Sequence, residues 1–351
     1  MGWAGFVRRF VLTAGLGLGL SLGFIVLMNP FGNLPVRALG PHVIMDTNDR
    51  YQFPAIVRSG AFDSVVIGNS TARLLDPEWL EAAFGGRFAN LGLNDGRAWE
   101  QYRLALLFLR TVPRPRTLLI GLDWVWCAAD ADQVRITPRG FPDWIYDEDP
   151  WNDWLYALNW RALDTSARRL ANRMGLASPR YPANGFEVFV LPDHAYDADK
   201  ARRHLWGSAG PTRIVPVRPA YAPSEEERAA WRYPALAWLE EVMAKKPAGM
   251  RAVLAFMPTH VAGQPRPGSR DAAREAECKA RIAAIARRHG GDLIDFKIAS
   301  PITTEDTNYW DALHYRLPVA RRIVEGIARA AATGRDDPAG DWRVLVAAGR
   351  Q

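Results

Sequence analysis

Cysteine is nearly absent from this sequence, which has only Cys127 and Cys278 among its 351 residues. Two cysteines cannot build a disulfide framework or a cysteine-rich metal cluster. One bridge could form in an oxidising compartment, but no sequence feature places the two residues together, so two buried free thiols are the favoured interpretation. The 6 histidines do not pair at metal-ligand spacing and there is no glycine-rich phosphate loop. The sequence therefore predicts no metal and no nucleotide cofactor.

Long runs of one charge sign are also missing. The chain has 44 Lys and Arg residues and 38 Asp and Glu residues, mixed along its length, for a net charge of +6. No basic run is interleaved with aromatic residues, and there is no zinc-finger or helix-turn-helix signature. We therefore expect no nucleic-acid partner. An apolar fraction of 48% and a charged fraction of 23% are typical of a globular protein.

One long uncharged apolar stretch is present, at residues 10–28, close to the length that a helix needs to cross a bilayer. Arg8 and Arg9 precede it, so residues 1–9 are predicted to be a cytoplasmic tail and the rest to lie outside. A cleaved signal peptide shares these features. The apolar core is longer than usual for such a peptide and no clear cleavage site follows. A single-pass anchor in the inner (cytoplasmic) membrane is favoured, with a linker over residues 29–44.

Five short apolar runs predict the strands of a parallel sheet that is buried on both faces. The predicted strands are residues 64–67, 88–91, 117–122, 251–257 and 293–296. Helical patterns over residues 78–84, 99–110, 270–288 and 318–332 alternate with them. This alternation predicts an α/β fold, a doubly wound three-layer α/β/α sandwich around five parallel strands.

The alternation is interrupted between about residues 125 and 246, a span rich in Trp, Pro and Asp with one predicted helix over residues 225–245. We interpret it as a large insertion over the carboxyl edge of the sheet, a lid or substrate platform. Its tryptophans either form an aromatic surface or fill the core. With this insertion, the domain is predicted to span residues 45–335, and residues 336–351 to be a C-terminal tail.

Three polar residues could form a catalytic triad at the carboxyl edge of the sheet, where ligands bind in open α/β folds. Ser70 follows the first predicted strand, whereas Asp311 and His314 follow the last and can project from one turn. A carboxylate-oriented imidazole would activate the serine, and the Ser70 N–H could help bind an oxyanion. Each feature alone has an ordinary alternative, such as a helix cap at Ser70. Their conjunction favours catalysis.

These residues resemble the motifs of the SGNH (GDSL-type) hydrolase superfamily, and in particular its membrane-tethered branch linked to O-acetylation of exported polysaccharides, the alginate type. Residues 63–70 (DSVVIGNS) resemble the strand followed by G-D-S, with Asn69 replacing Asp. Residues 90–96 (NLGLNDG) resemble the N-x-G-x-x-G loop, and residues 311–314 (DALH) match D-x-x-H. The similarity spans roughly residues 45–125 and 250–330, and it implies a flavodoxin-like sheet.

The resemblance implies a role for each matching residue. Ser70 would be the nucleophile, His314 the general base and Asp311 the group that orients it. The N–H groups of Ser70 and Asp95 would bind the oxyanion, with Asp95 standing where the family has glycine. Asp123 occupies the position of the family's oxyanion asparagine. An ionised carboxylate accepts hydrogen bonds only, so either Asp123 is protonated or the oxyanion hole is built differently.

Asn94 and His260 are implied substrate contacts, and three functions stay open. The first is an esterase or O-acyltransferase that acts on exported polysaccharide or another acyl acceptor, with a membrane-embedded acyl carrier as a partner. The second is a catalytically silent polysaccharide-binding or assembly protein, which Asp95 and Asp123 favour. The third is a lipid esterase. The acyl donor, the acceptor and the oligomeric state stay open as well.

Overall fold

The computed structural model describes residues 2–34, 36 and 42–349, which form two compact units. Residues 1–61 and 141–185 belong to the first, called here the anchor unit, and residues 62–140 and 186–351 belong to the second, the sheet unit. The helices are α1 (Trp3–Met28), α2 (Asp49–Arg58), α3 (Pro77–Phe84), α4 (Ala98–Thr111), α5 (Asp143–Tyr146), α6 (Pro150–Tyr156), α7 (Trp160–Arg173), α8 (Ala198–Trp206), α9 (Glu225–Ala230), α10 (Ala235–Ala244), α11 (Arg270–Arg288) and α12 (Leu317–Thr333). The strands are β1 (Ser64–Gly68), β2 (Phe88–Gly92), β3 (Thr117–Leu122), β4 (Arg251–Phe256), β5 (Asp292–Asp295) and β6 (Arg343–Val346).

The anchor unit contains α1, which is long and apolar enough to cross a membrane. Its most apolar window has a mean hydropathy of 2.2, and 6% of that window is buried. The C-terminal end of α1 differs from the rest, because Ile25 and Met28 are buried and α7 packs against the helix. Asn29 ends α1 in the left-handed conformation. Phe31 and Leu34, just beyond, are also buried, so the end of α1 belongs to the core of this unit.

The sheet unit is built on six strands in the order β2-β1-β3-β4-β5-β6. The first five are parallel, at the predicted positions, and their order is that of a doubly wound α/β sheet. The prediction of a five-stranded parallel sheet is incomplete, because β6 pairs antiparallel with β5. This strand lies within residues 336–351, which were predicted to be a tail. The sheet is therefore mixed.

Helices cover both faces of this sheet. On one face α3 contacts α12, and on the other α10 contacts both α4 and α11. A buried cluster on the first face joins strand residues to helix residues, among them Val66, Leu119, Val253, Ile294, Leu80 and Ile323. Strand residues of the opposite parity are buried too, including Val65, Ile67, Leu118, Ile120 and Leu254. Burial on both faces explains why the strands read as continuous apolar runs.

Two further predictions, on a helix between β3 and β4 and on the two cysteines, are wrong. The helix predicted over residues 225–245 is two helices, because Pro234 lacks the N–H that a continuous helix would need. Cys127 and Cys278 are joined in a disulfide, with their Cα atoms 5.8 Å apart, and are not free thiols. The fold brings together two residues 151 positions apart, from the turn after β3 and from α11.

Candidate active site

Ser70 begins a short 3-10 turn directly beyond the end of β1. The side chain of Asn69 caps this turn, since its Oδ1 accepts hydrogen bonds from the Thr71 N–H at 2.9 Å and from Thr71 Oγ1 at 2.8 Å. The first N–H groups of such a turn have no partner within it. The main chain at Ser70 is therefore arranged to offer a donor next to its own hydroxyl.

The turn that carries Ser70 is pressed against the ends of the neighbouring strands. A Cβ added at Gly68 would lie 2.7 Å from the Ala72 Cβ and 3.0 Å from the Gly121 carbonyl oxygen, so a side chain would displace the turn. Asn90, in β2, donates from Nδ2 to the carbonyl oxygens of Ala72 at 3.0 Å and Leu75 at 2.8 Å. Gly68 and Asn90 therefore hold the turn of Ser70 in place.

The loop that carries Asp311 and His314 is a hairpin closed by a β-bridge between Tyr309 and Tyr315. Within it, Asp311 Oδ1 accepts the N–H groups of Leu313 at 2.8 Å and His314 at 2.9 Å. These bonds fix the carboxylate and leave its second oxygen directed at the His314 ring. The D-x-x-H spacing thus places both side chains on one side of one turn.

The three predicted catalytic residues form one hydrogen-bonded chain. His314 Nδ1 lies 2.8 Å from Asp311 Oδ2, and His314 Nε2 lies 2.9 Å from Ser70 Oγ. Because the carboxylate accepts from Nδ1–H, Nε2 is left to accept the serine proton. Burial raises the pKa of Asp311, but the hydrogen bond and charge of His314 outweigh it, so the pKa lies below its ordinary value. Tyr315 OH donates to the Thr71 carbonyl and ties the two loops together.

Side chains that sequence reasoning missed support His314. The ring of Phe189 meets the His314 ring edge-on, with centroids 5.4 Å apart. The Arg73 guanidinium lies 5.3 Å from the centroid of the Phe189 ring and is paired with Glu187. Phe189 and Glu187 belong to the span predicted as an insertion, where no motif marks them. Only their contacts in the fold identify them.

Asp123 lies beside Ser70 on the next strand. Ile67 and Ile120 are paired in the register of β1 and β3, and Ser70 and Asp123 each follow one of them by three positions. Both line a cavity of about 210 Å³. Asp123 Oδ1 accepts the Val125 N–H at 2.9 Å, whereas Oδ2 is buried without a hydrogen-bond partner among the described residues. Burial raises the pKa of Asp123 to about 7. A large fraction of this carboxyl is therefore neutral at neutral pH.

Asn94 and Asp95 lie in the loop after β2, and neither lines the cavity beside Ser70. Asp95 is exposed and has a φ of 53°, the left-handed conformation that glycine adopts freely and Asp tolerates better than most residues. The carboxylate of Asp95 is near enough to contribute to the raised pKa of Asp123. The loop thus keeps the glycine-like backbone that its motif implies, at a residue with a side chain.

The side chain of His260, an implied substrate contact, is fully buried and does not line the cavity beside Ser70. Its ring is flanked by Trp206 and Tyr309, each with a centroid 5.3 Å away, and burial lowers its pKa. The main-chain N–H of His260 donates to the Ala312 carbonyl oxygen at 2.9 Å. His260 therefore supports the hairpin of Asp311 and His314 from behind.

A second cavity, of about 500 Å³, adjoins the first. The two share five lining residues, namely Asp123, Trp124, Pro265, Glu275 and Lys297. The Trp124 side chain is 49% exposed there, and Lys297 Nζ pairs with Glu275 Oε2 at 2.5 Å. Cys127 lies in the wall of the second cavity. A groove with one aromatic face and several polar groups therefore runs from Ser70 to the disulfide.

Among the described residues, no group of three or more His, Cys, Asp or Glu side chains is arranged to hold a metal ion. The chain matches no protein-family model, and no curated protein matches its sequence significantly.

Proposed function

We propose that this chain is a membrane-anchored, extracytoplasmic SGNH-type serine esterase or O-acyltransferase that carries an acyl group on Ser70. The observation that supports it is the hydrogen-bonded chain from Asp311 through His314 to Ser70 Oγ, with contacts of 2.8 and 2.9 Å. A carboxylate-oriented imidazole next to a serine is the arrangement that makes a hydroxyl nucleophilic. The capped turn at Ser70 and the sheet order fit an SGNH-type α/β/α sandwich.

In the proposed reaction, His314 takes the Ser70 proton as Oγ attacks the acyl carbonyl, and Asp311 stabilises the imidazolium. The carbonyl oxygen becomes an oxyanion facing the Ser70 N–H. When this tetrahedral intermediate collapses, the bond between the acyl carbon and the leaving alcohol breaks, and the alcohol takes the proton from His314. The acyl group is then on Ser70. An acceptor hydroxyl, from a sugar or from water, gives its proton to His314 and attacks the ester. The bond between the acyl carbon and Ser70 Oγ then breaks, His314 returns the proton to Oγ, and the acceptor leaves with the acyl group.

The groove supports a saccharide acceptor. The exposed ring of Trp124 offers a flat apolar face to a sugar ring, and Glu275 and Lys297 offer hydrogen-bonding groups to its hydroxyls. An exported polysaccharide is therefore the acceptor we favour. If the acyl group is made in the cytoplasm, it needs a membrane-embedded carrier protein as a partner.

The placement outside the inner membrane has two supports. Arg8 and Arg9 lie near the N-terminus of α1, and positive charge stays on the cytoplasmic side. The disulfide between Cys127 and Cys278 fits an oxidising compartment, such as the periplasm.

The test is acyl-ester hydrolysis by the full-length chain in detergent, with p-nitrophenyl acetate as substrate. Ser70→Ala and His314→Ala should each lower kcat by about 10⁴-fold, because each removes a member of the triad. Ser208→Ala, which changes an exposed serine of the same unit, is the matched control and should keep full activity. Wild-type hydrolysis that survives Ser70→Ala would exclude this mechanism. Faster turnover of long acyl chains than of acetyl would favour a lipid esterase.

The second candidate is a silent polysaccharide-binding or assembly protein. The ionised fraction of Asp123 favours it, because a carboxylate beside Ser70 opposes an oxyanion. A fluorophosphonate probe separates the two. Stoichiometric labelling that is lost in Ser70→Ala supports the enzyme, whereas an unlabelled and inert wild type supports the silent protein.

A further inference from the structure

Helix α7 presents a stripe of large apolar side chains to the outside of the protein. Trp160 is 79% exposed, Leu170 is 38% exposed, and Met174, directly after the helix, is 64% exposed. Leu163 and Ala167 fall between them, also unburied. At about 100° per residue these positions share one face, roughly a quarter of the helix circumference. The stripe is thus continuous along the whole helix.

The opposite face of α7 is small and polar, and it is the buried one. It consists of Ala162, Thr165, Ser166 and Arg169. This helix packs against α1, and Arg169 Nη1 donates to the Asn29 carbonyl oxygen at the end of α1, at 2.5 Å. A surface helix of a globular protein turns its apolar side inward. In α7 the arrangement is reversed.

The apolar surface continues at both ends of the helix. Residues just before and just after α7 also expose large apolar side chains, namely Leu155 at 75%, Tyr156 at 53%, Leu158 at 40% and Leu176 at 74%. Isolated exposed apolar residues are ordinary, but a contiguous surface of this kind marks an interaction site.

We propose that the α7 stripe lies in the outer interface of the same bilayer that α1 crosses, in contact with lipid. This inference rests on the proposed membrane anchor. The bond from Arg169 to Asn29 fixes α7 at the end of α1, where a spanning helix leaves the hydrocarbon. The exposed apolar side chains of α1 continue to Leu27, which is 46% exposed, so the two apolar surfaces belong to one unit.

The composition of α7 matches an interfacial helix and not a spanning one. Trp160 is of the residue type that is enriched at the boundary between lipid and water. Arg168 flanks the stripe on its exposed polar side, where headgroups and water would meet it. A helix with one polar, charged side and one apolar side lies in the plane of the membrane.

The experiment uses single cysteines, since both native cysteines are joined in the disulfide. The full chain carries Leu170→Cys, Arg168→Cys or Leu16→Cys, labelled with an environment-sensitive nitrobenzoxadiazole group. Each protein is reconstituted into vesicles of phosphatidylcholine and phosphatidylglycerol, with or without brominated acyl chains. Arg168 is the matched control, because it is exposed on the polar side of the same helix. Leu16 reports whether α1 is in the bilayer.

Bromine should quench the label at position 170 at least about twofold more than the label at position 168, with position 16 quenched as well. Quenching at position 16 with none at position 170 would keep the anchor and overturn the lipid contact of α7. This result would assign the stripe to a protein partner. No quenching at either position would overturn the membrane anchor itself, and the inference with it.

Discussion

The protonation state of Asp123 affects both the proposed chemistry at Ser70 and the stability of the fold. Its carboxyl is buried beside Ser70, and one of its oxygens has no hydrogen-bond partner among the described residues. Lys297 and Arg97 are near enough to favour the charged form, yet burial outweighs them and raises the pKa to about 7. A neutral carboxyl beside Ser70 would oppose an oxyanion much less than a charged one.

Asp123→Asn should change how the stability of the protein depends on pH. The folded-state pKa of about 7 lies above the ordinary value of 3.8, so the folded state holds this proton more tightly. The contribution of this proton to the stability of the folded state is complete below pH 4. As the pH rises to 7, the protein loses up to about 4 kcal/mol of this contribution. The amide does not titrate. The melting temperature of the variant, relative to that of wild type, should therefore rise between pH 4 and pH 8.

Circular dichroism melts across this range measure the effect, with Asp130→Asn as a control that changes an exposed carboxylate. A constant difference in melting temperature between Asp123→Asn and wild type at every pH would show that Asp123 is charged in the folded protein.

At the residue scale, the hydrogen-bonded chain of Asp311, His314 and Ser70 could be predicted because its motifs are local. The D-x-x-H spacing alone brings Asp311 and His314 onto one turn. The support from Phe189 could not be predicted, since its contact with His314 depends on how residues 186–191 return to the sheet unit. The burial of His260 could not be predicted, because a histidine that follows a strand carries no local signal of its burial.

At the scale of elements, the strands that could be predicted from the sequence are those buried on both faces. Strands β1 to β5 are continuous apolar runs because helices cover both of their faces. Strand β6 has 4 residues, begins with the exposed Arg343 and pairs with one neighbour only, so it lacks that pattern. The break between α9 and α10 is marked in the sequence only by Pro234, within an otherwise helical pattern. An edge strand and a helix interruption are both weak local signals.

The disulfide links the turn after β3 to α11 and forms part of the groove wall. Replacing both cysteines by serine should lower the stability by about 2–5 kcal/mol, because the bridge closes a loop of 151 residues in the unfolded chain. Since Cys127 lies in the same short turn as Trp124, the change should also weaken use of a sugar acceptor more than hydrolysis of p-nitrophenyl acetate.

Melting temperatures with and without reductant test the stability part of this prediction. Reductant should lower the melting temperature of wild type and leave the double variant unchanged. An equal effect of reductant on both proteins would show that the bridge does not stabilise the fold.

At the scale of the whole molecule, segments of the anchor unit and the sheet unit alternate along the chain. The chain leaves the anchor unit after residue 61 and returns to it for residues 141–185, between β3 and β4. The sequence presents this span as one insertion into an α/β domain, because α1 and a distant helical segment share no motif. The assignment of residues 141–185 to the anchor unit depends on tertiary packing, including the contact of α7 with α1.

This packing predicts different outcomes for two truncations of the N-terminus. Deletion of residues 1–24 removes mainly exposed side chains of α1, whereas deletion of residues 1–37 also removes Ile25, Met28, Phe31 and Leu34, all buried. Loss of these four side chains should cost roughly 6–12 kcal/mol of burial, comparable to the whole stability of a typical domain. It also leaves Arg169 without its acceptor at Asn29.

We expect the shorter deletion to fold in mild detergent and the longer one to lose the anchor unit. Limited proteolysis within residues 141–185 measures this, and equal protection of the two proteins would show that the end of α1 is only a tether.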